Sequence, residues 1–227
     1  IEENAATSRI ILTEEDLEQI SKSFPAPTEK IEMENKTVIQ TLRECGSLLE
    51  GHFLLTSGLH SPLYVEKFNV LQHPEYTEKL CREIAEHFKD QGIETVIGPA
   101  TGGIILSQVT ARILGVRSIF TERENGKMTL RRGFTIAPGE KVLIVEDIVT
   151  TGSSIKEVVD VVNKAGGDIV GIGLLVNRSG GKADFGVPQE KVFPLLNLTV
   201  PTYDPKDCPL CKAGVPLTER GSHHLKK

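Results

Sequence analysis

Residues 142–154 constrain the fold of this chain more than any other segment, because they join an apolar run to a polar turn through two acidic residues. Residues 142–145 are all apolar and mostly β-branched, which is typical of a parallel strand buried on both faces. Apolar residues then recur at helical spacing over 155–162, and Ser153 or Ser154 is expected to cap that helix. The segment therefore predicts a buried strand, a turn and a helix in direct succession.

The turn between this strand and this helix predicts an anion site. Residues 150–153, Thr-Thr-Gly-Ser, place hydroxyl and backbone N–H groups at a helix N-terminus, where aligned peptide dipoles stabilise a phosphate. The preceding acids, Glu146 and Asp147, would repel a bare phosphate, so we expect them to face ribose hydroxyls or water ligands of Mg²⁺. Ser153 stands where a Walker loop needs lysine. The residues thus predict a site for a phosphorylated ribose, and an acidic turn with ordinary helix caps is the alternative.

Composition limits the classes of function. The chain has 227 residues, 39% of them hydrophobic and 25% charged, which is enough for one domain with appendages. Its net charge of -5 argues against nucleic-acid binding, so local cations must meet any anionic substrate. No apolar run is long enough for a membrane span, and the polar residues 1–4 do not resemble a signal peptide, so we expect a cytoplasmic protein.

Helices and strands are predicted to alternate along most of the chain. The predicted elements are helices over 36–50 and 74–90, strand 95–97, helix 103–114, strands 116–120 and 142–146, helix 153–165 and strand 168–176. This alternation predicts an α/β fold with a mostly parallel central sheet flanked by helices. Ligands of such sheets bind beyond the carboxyl ends of the strands, so the loops starting at Gly98, Thr121, Glu146 and Asn177 are expected to converge.

The loop over residues 98–103 is a second candidate anion site. Its small residues lie between a predicted strand and a predicted helix, which lets the backbone approach a ligand closely. A glycine-rich turn that only connects two elements is the alternative. The loop is predicted to lie at the same sheet edge as residues 150–154, and this position favours ligand binding.

Residues 122–133 supply the cations that the net charge does not. They include Lys127 on a predicted turn, together with Arg123, Arg131 and Arg132. A mobile cationic loop that closes over an anionic leaving group would stabilise its charge and exclude water. A solvated surface hairpin is the alternative.

These motifs, taken together, resemble the type I phosphoribosyltransferase family, whose phosphoribosyl-diphosphate signature is similar to residues 142–153. The resemblance implies the α/β fold above with a small hood, built from residues 51–66 and about 192–222, in a domain over 35–227 that follows an extension or linker over 1–34. It implies that Glu146 and Asp147 bind ribose hydroxyls. It assigns the rest of phosphoribosyl diphosphate to Thr150, Thr151, Gly152, Ser153 and Ser154, to Thr101, Gly102 and Gly103, and to Arg123, Lys127, Arg131 and Arg132.

Residues 53–65 contain a Ser-Gly-x-x-Ser-Pro-x-Tyr pattern that resembles the hood of the orotate phosphoribosyltransferase family, most closely a branch found in thermophilic bacteria. Arg178 follows a predicted buried strand, and its guanidinium would pair with the carboxylate or carbonyls of orotate. A surface charge at a strand end is the alternative for Arg178. The resemblance implies an orotate site formed by Thr56, Ser57, Gly58, Tyr64, Thr150 and Arg178.

The activity that this resemblance implies is transfer of ribose 5-phosphate from phosphoribosyl diphosphate to orotate. Mg²⁺ is the implied cofactor, held mainly by substrate and water near Glu146 and Asp147, and the catalytic candidates are Lys127, Arg123 and Asp147. The implied assembly is a homodimer whose mobile loop closes across the interface, without nucleic acid or membrane. A purine-type phosphoribosyltransferase and a sensor of phosphoribosyl diphosphate are the alternatives.

The chain departs from the better-known branch of this family at three places. Thr56 stands where that branch has a lysine, residues 101–102 replace a Tyr-Lys pair, and the candidate mobile loop contains no histidine. The resemblance therefore assigns the diphosphate jointly to the four cations of residues 122–133.

Two of the four cysteines, Cys208 and Cys211, have the spacing of half a zinc site. His223 and His224 lie downstream, but as neighbours they lack the usual ligand spacing. We therefore expect a C-terminal segment that packs on the domain without metal, and a Cys₂His₂ site is the alternative.

Overall fold

The structure, a computed structural model, describes residues 32–33 and 35–220, which form two units. The sheet unit comprises Glu32–Glu50 and Leu63–Val200, and the hairpin unit comprises Gly51–Pro62 and the described residues from Pro201 onward. The residues of the predicted hood, 51–66 and about 192–222, include all those of the described hairpin unit and some of the sheet unit. Of the predicted extension over 1–34, only residues 32 and 33 are described.

The elements follow one another in an α/β order. In chain order they are β1 (Glu32–Met33), α1 (Lys36–Glu44), β2 (Leu48–Leu54), β3 (His60–Val65), α2 (Lys67–Leu71), α3 (Pro74–Phe88), β4 (Thr95–Pro99), α4 (Gly102–Leu114), β5 (Arg117–Glu124), β6 (Lys127–Leu130), β7 (Lys141–Val149), α5 (Ser153–Ala165), β8 (Asp168–Asn177), β9 (Val192–Thr199), α6 (Pro209–Lys212) and β10 (Thr218–Glu219). Short 3₁₀ helices occupy Lys89–Gln91 and Gln189–Lys191. None of the described helices is long and apolar enough to cross a membrane.

The main sheet confirms the predicted fold class. Its strand order is β1-β9-β8-β7-β4-β5-β6, with parallel pairing from β9 through β5 and antiparallel pairing at both edges. Strands β4 and β7 are neighbours although β5 and β6 lie between them in sequence, so the strand order reverses at this pair. Ligands of open α/β sheets bind beside such a reversal, at the carboxyl ends of the strands.

The two faces of the main sheet are covered by different helices, as the alternation of side chains in β8 shows. Gly171 and Gly173 leave room for Phe88 and Ile84 of α3, because a Cβ atom at either glycine would come within 2.5 Å of those side chains. The intervening residue Ile172 lies on the opposite face, in an apolar cluster with the buried residues of α5. The sheet is thus buried on both sides, as the apolar run of residues 142–145 predicts.

The ends of one predicted helix and of two predicted strands are wrong. The helix predicted over 36–50 ends at Glu44, because Gly46 adopts a left-handed φ of 66° and the Ser47 N–H donates to Leu42 O, which closes a C-terminal cap. The strand predicted over 116–120 continues to Glu124 and turns back into β6. The strand predicted over 142–146 continues to Val149, so Glu146 and Asp147 lie within β7. Local apolar spacing does not reveal either the cap or the cross-strand pairing.

Candidate active site

The turn after β7 is built around Gly152. This residue is the N-cap of α5 with a left-handed φ of 82°, and a Cβ atom there would lie 3.0 Å from the Phe185 ring. The predicted cap by Ser153 or Ser154 is wrong, because Ser153 is already the first helical residue and its hydroxyl pairs with Thr151 Oγ1 at 3.1 Å. Gly152 has no side chain to cap α5, and only the Ser153 N–H has a side-chain acceptor, Thr151 Oγ1 at 3.5 Å. The next N–H groups of this 13-residue helix are left for an anion at the turn.

A small cavity lies at this turn. Its volume is about 60 Å³, far below the several hundred Å³ of a pocket for a whole small molecule, so it suits one compact polar group. The structure thus brings one predicted acid together with the predicted phosphate turn. The lining residues are Glu146, Ile148, Val149, Thr150, Thr151, Gly152, Ser153, Ser154 and Ile155.

Asp147 does not line this cavity and instead contacts a cation that the sequence analysis missed. Lys67 Nζ donates to Asp147 Oδ1 at 3.3 Å and lies 3.1 Å from Oδ2. The Oδ2 atom is buried and accepts no aligned hydrogen bond from the described residues, although the lysine is close. Lys67 lies at the start of α2, three residues after Tyr64. This closeness in sequence to a predicted site residue was the only sign that Lys67 belongs to the site.

Asp147 also lies against the second predicted anion loop. A Cβ atom at Gly102 would be 1.7 Å from Asp147 Oδ2, so only glycine permits this approach. Gly103 also packs closely on Gly98, where a Cβ atom would lie 2.3 Å from Gly103 O, and Thr101 is the N-cap of α4 without a side-chain cap bond. The two candidate anion sites therefore meet at the β4–β7 reversal.

Hydrogen bonds connect the remaining loops at this edge of the sheet. The Ala100 N–H donates to Thr121 O, and the Arg178 N–H donates to Val149 O, each at 2.7 Å. The four loops expected to converge are thus joined through these bonds and the Gly102–Asp147 contact.

Glu146 is buried where a carboxylate is costly. Its Oε1 accepts a hydrogen bond from the Asp147 N–H, but burial, and secondly the charge of Asp147, raise the pKa of Glu146 to about 8. The free site therefore favours the protonated acid at neutral pH. A ligand that donates hydroxyl groups or brings a cation would favour the carboxylate instead.

Replacing Glu146 with glutamine should raise Tm more at alkaline than at acidic pH. The folded state holds the carboxyl proton more tightly than the unfolded state, whose pKa is near 4.5, so the free energy of unfolding falls as pH rises from there to about 8. Glutamine has no proton to lose. Scanning calorimetry should show a gain of at least about 4 °C near pH 9 and less than half of that near pH 5.5.

Glu157→Gln is the control for this experiment. A hydrogen bond from Arg123 holds the pKa of Glu157 below its usual range, so its removal should not stabilise the protein at alkaline pH. Equal gains in Tm at both pH values for Glu146→Gln would contradict the assignment.

The cationic segment forms a hairpin in which most charges are paired. Asn125 and Gly126 both have a positive φ, as a two-residue turn between β5 and β6 requires. Arg123 forms a bidentate ion pair with Glu157 at 2.8 and 2.9 Å. Arg131 and Arg132 both contact Glu122, and Arg131 also contacts Glu124.

Lys127 is the exception among these four cations. It is exposed directly after the turn and forms no ion pair with any residue that the structure describes. Three of the cations assigned to the diphosphate are thus held by their own carboxylates, whereas Lys127 is available. The movement expected of this segment remains a prediction.

Arg178 is half-buried directly after β8 and interacts with Tyr64. Burial lowers the pKa of Arg178, while the Tyr64 hydroxyl opposes that shift. No ion pair neutralises the guanidinium among residues 35–220. A half-buried arginine without a counter-ion suits an anionic ligand better than a surface position would.

Thr56, Ser57 and Gly58 lie exposed in the turn between β2 and β3, in the hairpin unit. The Gly58 N–H donates to Leu55 O at 2.9 Å, and Gly58 has a left-handed φ of 82°. Their assignment to orotate rests on the resemblance alone.

Comparison with known proteins agrees with this geometry. The family model described as phosphoribosyl transferase domain matches residues 69–185. An orotate phosphoribosyltransferase of Desulforamulus reducens is 55% identical over 193 residues, covering 85% of this chain and 100% of the relative. One from Thermotoga maritima is 52% identical over 187 residues, covering 82% of this chain and 98% of the relative.

Solved structures support the fold. Orotate phosphoribosyltransferase of Mycobacterium tuberculosis in complex with inorganic phosphate has a TM-score of 0.57 at 23% identity, covering 70% of this chain and 93% of that chain. Adenine phosphoribosyltransferase of Rhodothermus marinus has a TM-score of 0.58 at 22% identity, covering 72% and 100%. The fold is thus shared by enzymes named for adenine and for orotate, so it does not tell which base is the substrate. Both of the sequence relatives above, each more than 50% identical to this chain, are orotate phosphoribosyltransferases. The chain belongs to the orotate phosphoribosyltransferase family.

Proposed function

We propose that this protein transfers ribose 5-phosphate from phosphoribosyl diphosphate to orotate, with the residue roles given below. Orotate N1 attacks ribose C1 while the bond from C1 to the diphosphate oxygen breaks, and the N1 proton is lost to water or to diphosphate, so orotidine 5′-phosphate and diphosphate form. Orotate carries an accessible anionic form, so no covalent nucleophile is required of the protein. Its task is alignment and stabilisation of charge.

The observation that carries this proposal is the junction of two anion loops beside a buried carboxyl pair. The 5-phosphate fits the cavity lined by residues 150–154 because its size and its N–H groups match one compact anion. Glu146 at its rim would accept hydrogen bonds from ribose hydroxyls. The diphosphate would lie at residues 101–103, next to Asp147 and Lys67.

Arg178 and Tyr64 would bind the base, together with Thr150 at the start of the phosphate turn. The backbone bond from Arg178 to Val149 places the arginine one residue from Thr150 along the neighbouring strand. This arrangement puts a cation for the orotate carboxylate next to the ribose site. Lys127 would close over the departing diphosphate.

The carboxyl pair fits Mg²⁺ held mainly by substrate oxygens and water. Glu146 reaches the cavity, and the buried Oδ2 atom of Asp147 has an unused acceptor. Bound Mg²⁺ supplies positive charge that offsets charge on the diphosphate. Glu146 and Asp147 would orient its water ligands and the ribose.

A cytoplasmic location also remains a prediction.

The test is turnover with a panel of bases. The purified protein is mixed with Mg²⁺, phosphoribosyl diphosphate and either orotate, uracil, adenine or hypoxanthine, and the nucleotide product is quantified by chromatography. We expect orotidine 5′-phosphate and diphosphate in equal amounts, and no comparable product from the purines. Turnover of a purine instead of orotate would contradict the proposal, and inactivity with all bases would favour a sensor.

We further propose a homodimer in which the β5–β6 hairpin serves the partner's site. Lys127→Ala and Arg178→Ala should each inactivate, but a mixture refolded or exchanged at equal concentration should regain activity. If the two residues act from different chains, half of the dimers are hybrids with one intact site each, so about a quarter of wild-type activity returns. If the mixture has only the summed residual activities of the two variants, both residues act within one chain.

A further inference from the structure

The hairpin unit contains a cluster of metal-binding side chains to which no role is assigned above. We name it the Cys₂His₂ cluster, and it consists of His52, His60, Cys208 and Cys211. Its four ligand atoms all lie within 4.8 Å of one another, and all but Cys211 are buried. His223 and His224, the histidines considered from the sequence, lie outside the described residues, and the two histidines of this cluster lie upstream in the chain.

Backbone structure holds these side chains together. His52 lies on β2 and His60 begins β3, on either side of the exposed turn. His60 pairs with Tyr203 through two backbone hydrogen bonds of 2.9 Å, which joins the hairpin to the C-terminal segment. Cys208 is the N-cap of α6 and Cys211 lies within this helix. Residues three positions apart share one face of a helix, so both sulfur atoms lie on the same face.

A hydrogen bond to the backbone orients His52. His52 Nδ1 lies 2.8 Å from Val215 O, a carbonyl that only accepts, so this nitrogen carries the proton and donates it. The lone pair of His52 Nε2 therefore points into the cluster. A backbone carbonyl bound to the far nitrogen is the usual support for a metal-binding histidine.

Hydrogen bonding within the protein does not satisfy the cluster. His60 Nδ1 lies 2.8 Å from His52 Nε2, and the sulfur atoms of Cys208 and Cys211 lie 3.6 and 3.7 Å from it. Three groups thus converge on one in-plane lone pair, which accepts one good hydrogen bond. A cation at the centre would use a lone pair from each of the four groups instead.

The distances match a tetrahedral zinc site. Zinc bonds of about 2.0 Å to nitrogen and about 2.3 Å to sulfur imply nitrogen–sulfur separations of about 3.6 Å and a nitrogen–nitrogen separation of about 3.3 Å. The nitrogen–sulfur distances here are 3.3, 3.6 and 3.7 Å. Among these four distances, the one between the two nitrogens, 2.8 Å, departs most and would need to grow by about half an ångström.

We propose that the Cys₂His₂ cluster binds one structural Zn²⁺ ion. Four protein ligands leave no open position, so this metal holds the fold and does not take part in catalysis. It would tie the β2–β3 turn, residues 55–59, to the C-terminal segment, in addition to the parallel pairing of β10 with β2 at Phe53 and Leu54. Thiolate and imidazole ligands select zinc over the Mg²⁺ of the proposed reaction.

The first test is metal content. The full chain is produced without a histidine tag, in zinc-supplemented medium, and analysed by inductively coupled plasma mass spectrometry after gel filtration without chelator. We expect about one Zn²⁺ per chain, and at least about tenfold less in Cys208→Ser and in Cys211→Ser. Cys45→Ser is the matched control, since Cys45 lies in the sheet unit and contacts Ser47. It should keep the full zinc content.

A second measurement guards against variants that do not fold. Reconstitution of the wild type with Co²⁺ should give the intense visible bands of a tetrahedral site with thiolate charge transfer. Cys211→His keeps four ligands but only one sulfur, so it should bind Co²⁺ with about half of the charge-transfer intensity. Removing the metal should speed hydrogen exchange in residues 51–62 and 201–220 selectively.

Three results would overturn the proposal. One is wild-type protein that stays metal-free after incubation with Zn²⁺ under reducing conditions. Another is a zinc content that the cysteine substitutions leave unchanged. The third is a Cys208–Cys211 disulfide, detected by non-reducing mass spectrometry, in protein that binds no metal after reduction.

Discussion

Lys127→Ala should lower kcat by about 10²- to 10³-fold while changing the KM for phosphoribosyl diphosphate by much less. Removal of one group that stabilises charge in a transition state has an effect of this size. Lys127 is exposed beside the Asn125–Gly126 turn and has no ion pair in the part of the chain that the structure describes. A cation that meets the diphosphate only as it leaves contributes to turnover more than to substrate binding.

Arg123→Ala is the matched control on the same hairpin. Its guanidinium is already bound to Glu157 at 2.8 Å and to Gly126 O at 2.8 Å, so it is less available for substrate. We expect less than about a tenfold loss of kcat, together with a lower Tm. Steady-state kinetics under saturating orotate distinguish the two. Wild-type turnover of Lys127→Ala would remove this residue from the catalytic machinery.

The sequence predicts the backbone structure of the site better than it predicts the contacts of the charged side chains. The strand, turn and helix around residues 142–165 were predictable because local spacing and a glycine determine them. The division between Glu146 and Asp147 was not predictable, since it depends on which face of β7 each side chain occupies and on Lys67, which is 80 residues away. Successive side chains of a strand point to opposite faces of the sheet, so two acids that are adjacent in sequence lie in different surroundings.

Contacts between distant residues explain the other differences. Arg123 was grouped with Lys127 because both lie in one basic run, but Glu157 on α5 neutralises the arginine. The Cys₂His₂ cluster combines residues separated by up to 159 positions, so the spacing of its cysteines pointed to metal but not to its histidines. In each case a tertiary partner decides the role of a side chain whose type the sequence already gives.

Arg178→Ala should lower kcat/KM for orotate by about 10²- to 10⁴-fold, because a site built to bind a charged group loses most affinity when that bond is removed. Arg178 is half-buried without an ion pair among residues 35–220, and burial lowers its pKa, so an anionic ligand is the partner it lacks. Arg178→Lys should restore less than about a tenth of the loss, since lysine cannot form the bidentate pair.

Comparison of orotate with uracil tests whether Arg178 recognises the carboxylate. Uracil lacks that group, so its kcat/KM, although far lower in the wild type, should change by less than about tenfold in Arg178→Ala. The ratio of orotate to uracil turnover should therefore collapse. Binding of phosphoribosyl diphosphate alone, measured by calorimetry, should stay near wild type, because the phosphate turn keeps its backbone bond from residue 178 to Val149 O. Equal losses for both bases would show that Arg178 positions the loop and does not select the substrate.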